Sequence, residues 1–348
     1  MIIKDHKKEY QSSQSQDSEH LFKNLYNVDG TSLFLYKSGS GGPTVVFLPA
    51  AGMVGLDYLN IHHCISKHTT SVIYDRSGTG WSSQVKLPRS AEEVTDELRS
   101  LLHTADVPAP YLFVGHSLGG IYARRYAQRF PSEVAGTLLL EPAHEDFHTY
   151  APKLKKRYLL SQSFTVIRAL LTYKQSFRSI YEQMFSMWPD SIREPLIEYH
   201  LRNLLNMYTE KNNLNNQLYP EVRTGGDMPD IPLIVFTAMG VDSITSLLTS
   251  PSFLREITEP FNQMKATIYH NLANSVPNGE HRILENAGHA TIHIDCPNEV
   301  VEAILHVLDL SKTHNEIDNG VKRKTNVLKN NKPFPLNEDD FRDPESEG

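Results

Sequence analysis

The sequence predicts an α/β fold: a doubly wound, mostly parallel sheet with helices on both faces and a helical cap inserted after one strand. Three observations carry this expectation. Short β-rich runs bounded by turn residues alternate with amphipathic helical stretches. The alternation breaks from about His144 to Met228, where helix-like segments rich in Leu, Tyr and Arg continue without a convincing strand. It resumes at Leu233.

The strand-like runs are Leu33–Tyr36, Val45–Leu48, Ser71–Tyr74, Tyr111–Val114 and Gly136–Leu140, then Leu233–Thr237 and His281–Leu284 beyond the cap. Between them Ala91–His103 sets Val94, Leu98, Leu101 and Leu102 on one helical face, and Leu118–Arg129 and Glu299–Leu308 repeat that period. Strand-helix alternation of this kind means parallel strands covered on both sides. The expected organisation is a core of residues 23–143 and 229–310, a cap of 144–228, and flexible tails at 1–22 and 311–348. Residues 5–20 are almost all polar and cannot bury enough apolar surface to offset ordering entropy. The segment from Ser311 is similarly poor in apolar residues, basic at Lys322-Arg323-Lys324 and acidic at Glu338-Asp339-Asp340.

Composition narrows the function. At 348 residues and 39% hydrophobic, the chain has room for a large core and is no disulfide-stapled miniprotein. Lys and Arg number 34 against 41 Asp and Glu, a net charge of −7 that leaves no electrostatic footprint for nucleic acid. Cys64 and Cys296 lack CxxC spacing and read as free thiols in a reducing compartment, not as zinc ligands. After Met1-Ile2-Ile3 the N-terminus turns polar, and no later run is long enough to span a bilayer. The expectation is a soluble, cytoplasmic protein.

The most informative stretch is Tyr111-Leu112-Phe113-Val114-Gly115-His116-Ser117-Leu118-Gly119-Gly120, an apolar strand running straight into a helix through Gly-x-Ser-x-Gly. A serine on so tight a turn projects its hydroxyl from the sheet's carboxyl edge, and the glycines remove side chains that would collide there. The helix start also supplies free N–H groups beside developing negative charge. The bland alternative is a serine that merely caps the helix.

On these residues the sequence resembles the α/β-hydrolase superfamily from about Asn27 to Leu310. Three further segments share the resemblance: Val45-Val46-Phe47-Leu48-Pro49-Ala50-Ala51-Gly52, Asp75-Arg76-Ser77-Gly78-Thr79-Gly80-Trp81-Ser82, and Gly288-His289 after the last strand. A serine hydroxyl needs a base to take its proton and return it to the leaving group. The resemblance implies Ser117 as nucleophile, His289 as that base, and Asp242, shortly after the strand Leu233–Thr237, as the acid that orients it. Glu141, at the end of Gly136–Leu140, is the rival acid, and a helix N-cap is the alternative role for Asp242. By the same resemblance the oxyanion donors are the backbone N–H groups of Leu118 and Ala51. Pro49-Ala50 replaces the His-Gly pair common in that loop, which leaves Ala50 as a substitute for Ala51. His293 and His116 are lesser candidates.

Other patterns mimic function. Gly78-Thr79-Gly80 lacks the third glycine of a dinucleotide fingerprint, and Ser38-Gly39-Ser40-Gly41-Gly42-Pro43 lacks the Lys-Ser/Thr ending of a phosphate loop. Glu141, His144, Glu145, Asp146 and His148 crowd like metal ligands, yet acids are common at strand-helix junctions. Lys153, Lys155, Lys156, Arg157, Arg168, Lys174 and Arg178 interleave with Leu159, Leu160, Phe164, Ile167 and Leu171, which reads as an amphipathic cap helix more than as a membrane-surface face. The expected function is a serine hydrolase without cofactor or metal, cleaving a carboxylic ester, lactone or related acyl bond of a small, mostly apolar substrate through an acyl-serine. The alternatives are acyl transfer on the same residues, or a non-catalytic ligand-binding protein of this fold. Aspartate-nucleophile chemistries of the fold are disfavoured by Ser117.

Overall fold

The computed structural model describes residues 21–147 and 174–318. Eight strands, β1 (Leu25–Val28), β2 (Thr31–Ser38), β3 (Thr44–Leu48), β4 (Ser71–Tyr74), β5 (Tyr111–His116), β6 (Val134–Leu140), β7 (Leu233–Ala238) and β8 (Gly279–Leu284), form one sheet in the order β1-β2-β4-β3-β5-β6-β7-β8. β2 pairs antiparallel with β1 and β4; every later neighbour is parallel. The mostly parallel, doubly wound sheet is therefore as the sequence predicts.

β1 is the strand that the sequence reading missed. It is short and mostly uncovered, so it shows no apolar run. Its partner is fixed by a tight turn at Asp29 and Gly30, with φ of 48° and 85°, as a two-residue hairpin of the type I′ class requires.

β3, β5 and β6 are buried along their whole length, and their residues alternate between two apolar layers. On one face Val45, Phe47, Leu112, Val114 and Leu138 pack with α1 (Leu59–Ser66) and α11 (Pro297–Asp318). On the other, Val46, Leu48, Phe113, Leu139 and Val235 meet α2 (Ala91–Thr104), α3 (Leu118–Arg129) and α9 (Pro251–Ala273). Each such side chain contributes about 1.5–3 kcal/mol by leaving water, which makes this double layer the platform for the strand ends. α2 begins at a capping box: the Glu93 N–H donates to Ser90 Oγ at 3.0 Å, and the Ser90 N–H to Glu93 Oε2 at 2.8 Å.

Between β6 and β7 the described part of the insertion holds α4 (Lys174–Met184), α5 (Asp190–Arg202), α6 (Asn206–Glu210) and α7 (Tyr219–Thr224). Beyond β7 come α8 (Ser243–Leu248) and α9, and between β8 and α11 a short α10 (Ile292–Asp295). Two boundaries differ from expectation. α11 continues to Asp318 and buries Ser311, and at the other end Leu21 is buried while Phe22 packs on Trp81 with ring centroids 4.7 Å apart. Leu21 and Phe22 hold the N-terminal end by apolar contact, and at the C-terminal end Ser311 Oγ donates to the Leu308 carbonyl at 2.8 Å within α11. The rest of those tails, and the interleaved stretch from Lys153 to Leu171, lie outside the described residues. Cys64 and Cys296 are both buried. No helix among the described residues is long and apolar enough to cross a membrane.

Candidate active site

Ser117 stands between β5 and α3 with φ 49° and ψ −113°, a left-handed backbone that a non-glycine residue adopts only where its surroundings enforce it. They do so here: the Ser117 N–H donates to the Leu140 carbonyl at 3.0 Å, and the Ser117 carbonyl accepts from Gly120 and Ala143. A Cβ on Gly119 would lie 1.9 Å from the Leu48 carbonyl oxygen, so only glycine lets α3 start against the end of β3. The serine side chain makes no cap bond to its helix. Its Oγ instead lies 3.1 Å from His289 Nε2.

The other ring nitrogen of His289 lies 2.7 Å from Glu141 Oε2. A carboxylate only accepts, so Nδ1 carries the proton and Nε2 is left to accept from the serine hydroxyl. Glu141 is 1% exposed, whereas the His289 side chain is 47% exposed. The second oxygen of Glu141 accepts from the Ala238 N–H at 2.8 Å and from Lys265 Nζ at 2.7 Å. Lys265, on α9, is itself buried and also donates to the Ala238 carbonyl at 2.6 Å. Burial pushes the Glu141 carboxyl up, but the hydrogen bond and charge of His289 and the charge of Lys265 outweigh it and hold the group below the usual glutamate range.

The carboxylate on His289 is thus Glu141, where the sequence reading favoured Asp242. Asp242 caps α8: its Oδ1 accepts from the Thr245 N–H at 2.7 Å, and its Oδ2 from Thr245 Oγ1 and the Ala290 N–H at 3.0 and 3.1 Å. Three local donors consume it, so it braces the histidine loop from one residue away without reaching the ring. Glu141 reaches the ring because it terminates β6, the strand beside β5, in a left-handed turn (φ 45°) at the point where the chain leaves for the cap.

His116 points away from the serine, into the core. Its Nε2 lies 2.7 Å from the His289 carbonyl and must donate, so Nδ1 accepts from Tyr58 Oη at 2.7 Å. Burial, with the nearby His289 and His293, holds its pKa well below the ordinary histidine value, which suits this neutral ring. Tyr58 Oη in turn accepts from the Ala50 N–H at 3.2 Å. His293 is fully buried against the Tyr58 ring, with centroids 4.6 Å apart, and does not reach the serine.

These bonds sort the loop after β3. The Ala50 N–H is spent on Tyr58, the Gly52 N–H on Glu210 Oε2 at 2.6 Å, and the Met53 N–H on the Ala50 carbonyl. The described residues offer no acceptor to the Ala51 N–H. The Leu118 N–H, at the first position of α3, has no acceptor within its helix.

The acids that crowd after β6 are engaged in ion pairs. Arg124 binds Glu145 through two bonds of 2.7 Å, and Arg223 binds Asp146 at 2.8 Å. His148 lies outside the described residues. The sequence reading did not single out Lys265 or Tyr58. Neither lies in a motif, and only the fold brings them to the strand ends.

Known proteins resemble the chain over a third of its length in sequence and over most of it in structure. The uncharacterized protein YqjL of Bacillus subtilis is 34% identical over 122 residues, 35% of this chain and 48% of that protein, so the chain spans about half of that relative's length. An esterase of Exiguobacterium antarcticum superposes with a TM-score of 0.58 at 13% identity, covering 82% of this chain and 99% of its own. The enol-lactonase of Burkholderia xenovorans does so at 0.55 and 16% identity, with the same coverage. At such identities these structures speak for the fold alone. The family model described as the alpha/beta hydrolase family matches residues 45–303, which span β3 to α11 with Ser117, Glu141 and His289 among them, and the chain belongs to that family.

Proposed function

We propose that this protein is a serine hydrolase that cleaves a carboxylic ester, lactone or related acyl bond through an acyl-serine intermediate. The observation that carries the reading is the unbroken series Ser117 Oγ, His289 Nε2, His289 Nδ1, Glu141 Oε2, with contacts of 3.1 and 2.7 Å. Ser117 Oγ attacks the carbonyl carbon while His289 Nε2 takes its proton. The carbonyl oxygen becomes an oxyanion held by the N–H groups of Ala51 and Leu118. His289 then returns the proton to the leaving alkoxide as the tetrahedral carbon collapses to the acyl-serine. Water then gives a proton to His289 Nε2 as its oxygen attacks the acyl carbon, and the second tetrahedral carbon collapses by breaking its bond to Ser117 Oγ, which takes the proton back from His289 as the acid leaves. Glu141 stabilises the imidazolium at each passage and fixes the tautomer that accepts.

An active-serine fluorophosphonate should label the wild-type protein, and p-nitrophenyl butyrate should be turned over. Ser117→Ala should abolish both and leave the melting transition in place. Turnover that survives in Ser117→Ala would refute the assignment.

A further inference from the structure

The loop that offers Ala51 is held from outside the hydrolase core. Arg76, after β4, is 1% exposed and donates from Nη1 to the Pro49 carbonyl at 2.7 Å and from Nη2 to the Ala50 carbonyl at 3.0 Å. Its counter-ion is Glu210, the last residue of α6 in the cap, 4% exposed, whose Oε1 accepts from Arg76 Nη2 at 2.8 Å and from Nε at 3.1 Å. The other oxygen of Glu210 takes the Gly52 N–H at 2.6 Å. Met207, one helical turn before Glu210, covers the same spot: a Cβ on Gly52, which has φ 77°, would lie 2.8 Å from Met207 Cβ. The cap is thus seated on this loop by both charge and contact.

In a trans peptide the N–H points opposite to the C=O of the same unit. The carbonyl of the Ala50–Ala51 peptide is bound by a guanidinium, so its N–H faces away from Arg76 and is polarised into a stronger donor. We propose that Glu210 is a positioning residue: from the cap it locks Arg76 and Gly52 on either side of Ala51 and thereby assembles the oxyanion hole. This rests on the hydrolase reading above. Its consequence is that oxyanion stabilisation depends on the cap being seated, while ground-state binding of substrate does not depend on this pair.

The test uses the full-length protein with p-nitrophenyl butyrate and an alkyl trifluoromethyl ketone, whose serine adduct places an oxyanion in the hole. Glu210→Gln removes the charge in place, and the pair Arg76→Met with Glu210→Met removes both charges so that none is left buried alone. The expected result in either folded variant is a kcat lowered about 10- to 100-fold with KM changed less than about threefold. Affinity for the ketone should fall in parallel with kcat. In wild-type protein, hydrogen exchange of segments 49–54 and 206–210 should open in one common step as urea rises, a readout that needs no variant to fold. Wild-type kcat and ketone affinity in either variant, or separate opening of the two segments, would overturn the inference alone. A wild type that neither labels with fluorophosphonate nor turns over the ester would overturn the hydrolase reading, and this inference with it.

Discussion

Replacing Glu141 by Gln separates the two acids named from the sequence, and its effect follows from counting donors. Glu141 accepts three hydrogen bonds: from Ala238 N–H and Lys265 Nζ on Oε1, and from His289 Nδ1 on Oε2. Glutamine has one accepting oxygen and one donating nitrogen. Two donors, one of them a buried cation, claim the oxygen, so the NH2 group turns to His289. Nδ1 must then accept, the proton moves to Nε2, and the ring no longer takes a proton from Ser117. A serine triad with the wrong tautomer loses about 10³- to 10⁴-fold in kcat, or about 4–5.5 kcal/mol of barrier. Lys265 also loses its counter-ion, which costs about 3 kcal/mol of stability, so rates should be measured well below the melting transition. Asp242→Asn is the control. Asparagine keeps the Thr245 N–H cap on its oxygen, but its NH2 group cannot accept from the Ala290 N–H, so stability should fall by about 1–3 kcal/mol while kcat, whose proton path does not run through Asp242, stays within about tenfold. Steady-state ester hydrolysis in both variants decides. A folded Glu141→Gln protein within tenfold of wild-type kcat, or a 10³-fold loss in Asp242→Asn, would refute the donor argument.

Lys265→Met should shift the pH dependence of stability. Glu141 is held below the usual glutamate range, so its ionisation stabilises the fold above the unfolded pKa of about 4.3, and that contribution is lost as pH falls through the folded value. Without the lysine charge the folded value rises and the loss should begin at higher pH, which urea unfolding midpoints between pH 7 and 4 will show; parallel profiles would argue against it. Gly119→Ala should cost more than about 3 kcal/mol and remove activity, because the new Cβ meets backbone at Leu48 and has nowhere to go; thermal melts and ester turnover check this. Tyr58→Phe leaves the Ala50 N–H and His116 Nδ1 buried without their partner, so a loss of about 1–3 kcal/mol is expected in chemical denaturation.

The sequence displays what is local. The apolar runs, the elbow at Ser117 and the histidine after the last strand each depend on neighbours in the chain, and the structure puts them where the pattern does. The Asp29-Gly30 hairpin was equally legible, and only the lack of an apolar run in Leu25–Val28 hid its strand. The choice of acid was not local. Asp242 and Glu141 both follow parallel strands, and what separates them is which side chain is already claimed: Thr245 and Ala290 take Asp242, whereas Ala238, Lys265 and His289 converge on Glu141. That aspartate is itself a favoured helix N-cap is the cue that pointed to a cap at Asp242. Arg76 and Glu210 meet across 134 positions, and no spacing rule joins them.

The departure of the cap from Glu141 also sets a seam for anyone recombining such enzymes. Leu140, Glu141, Pro142 and Ala143 answer to the core: the Leu140 carbonyl holds the Ser117 N–H, Tyr269 Oη bonds the Pro142 carbonyl at 2.8 Å, and the Ala143 N–H bonds the Ser117 carbonyl at 2.9 Å. A foreign insertion spliced in before Ala143 would detach the turn at Ser117 from its brace. One joined after it keeps the contacts among Ser117, His289 and Glu141, and needs only to bring its own carboxylate for Arg76.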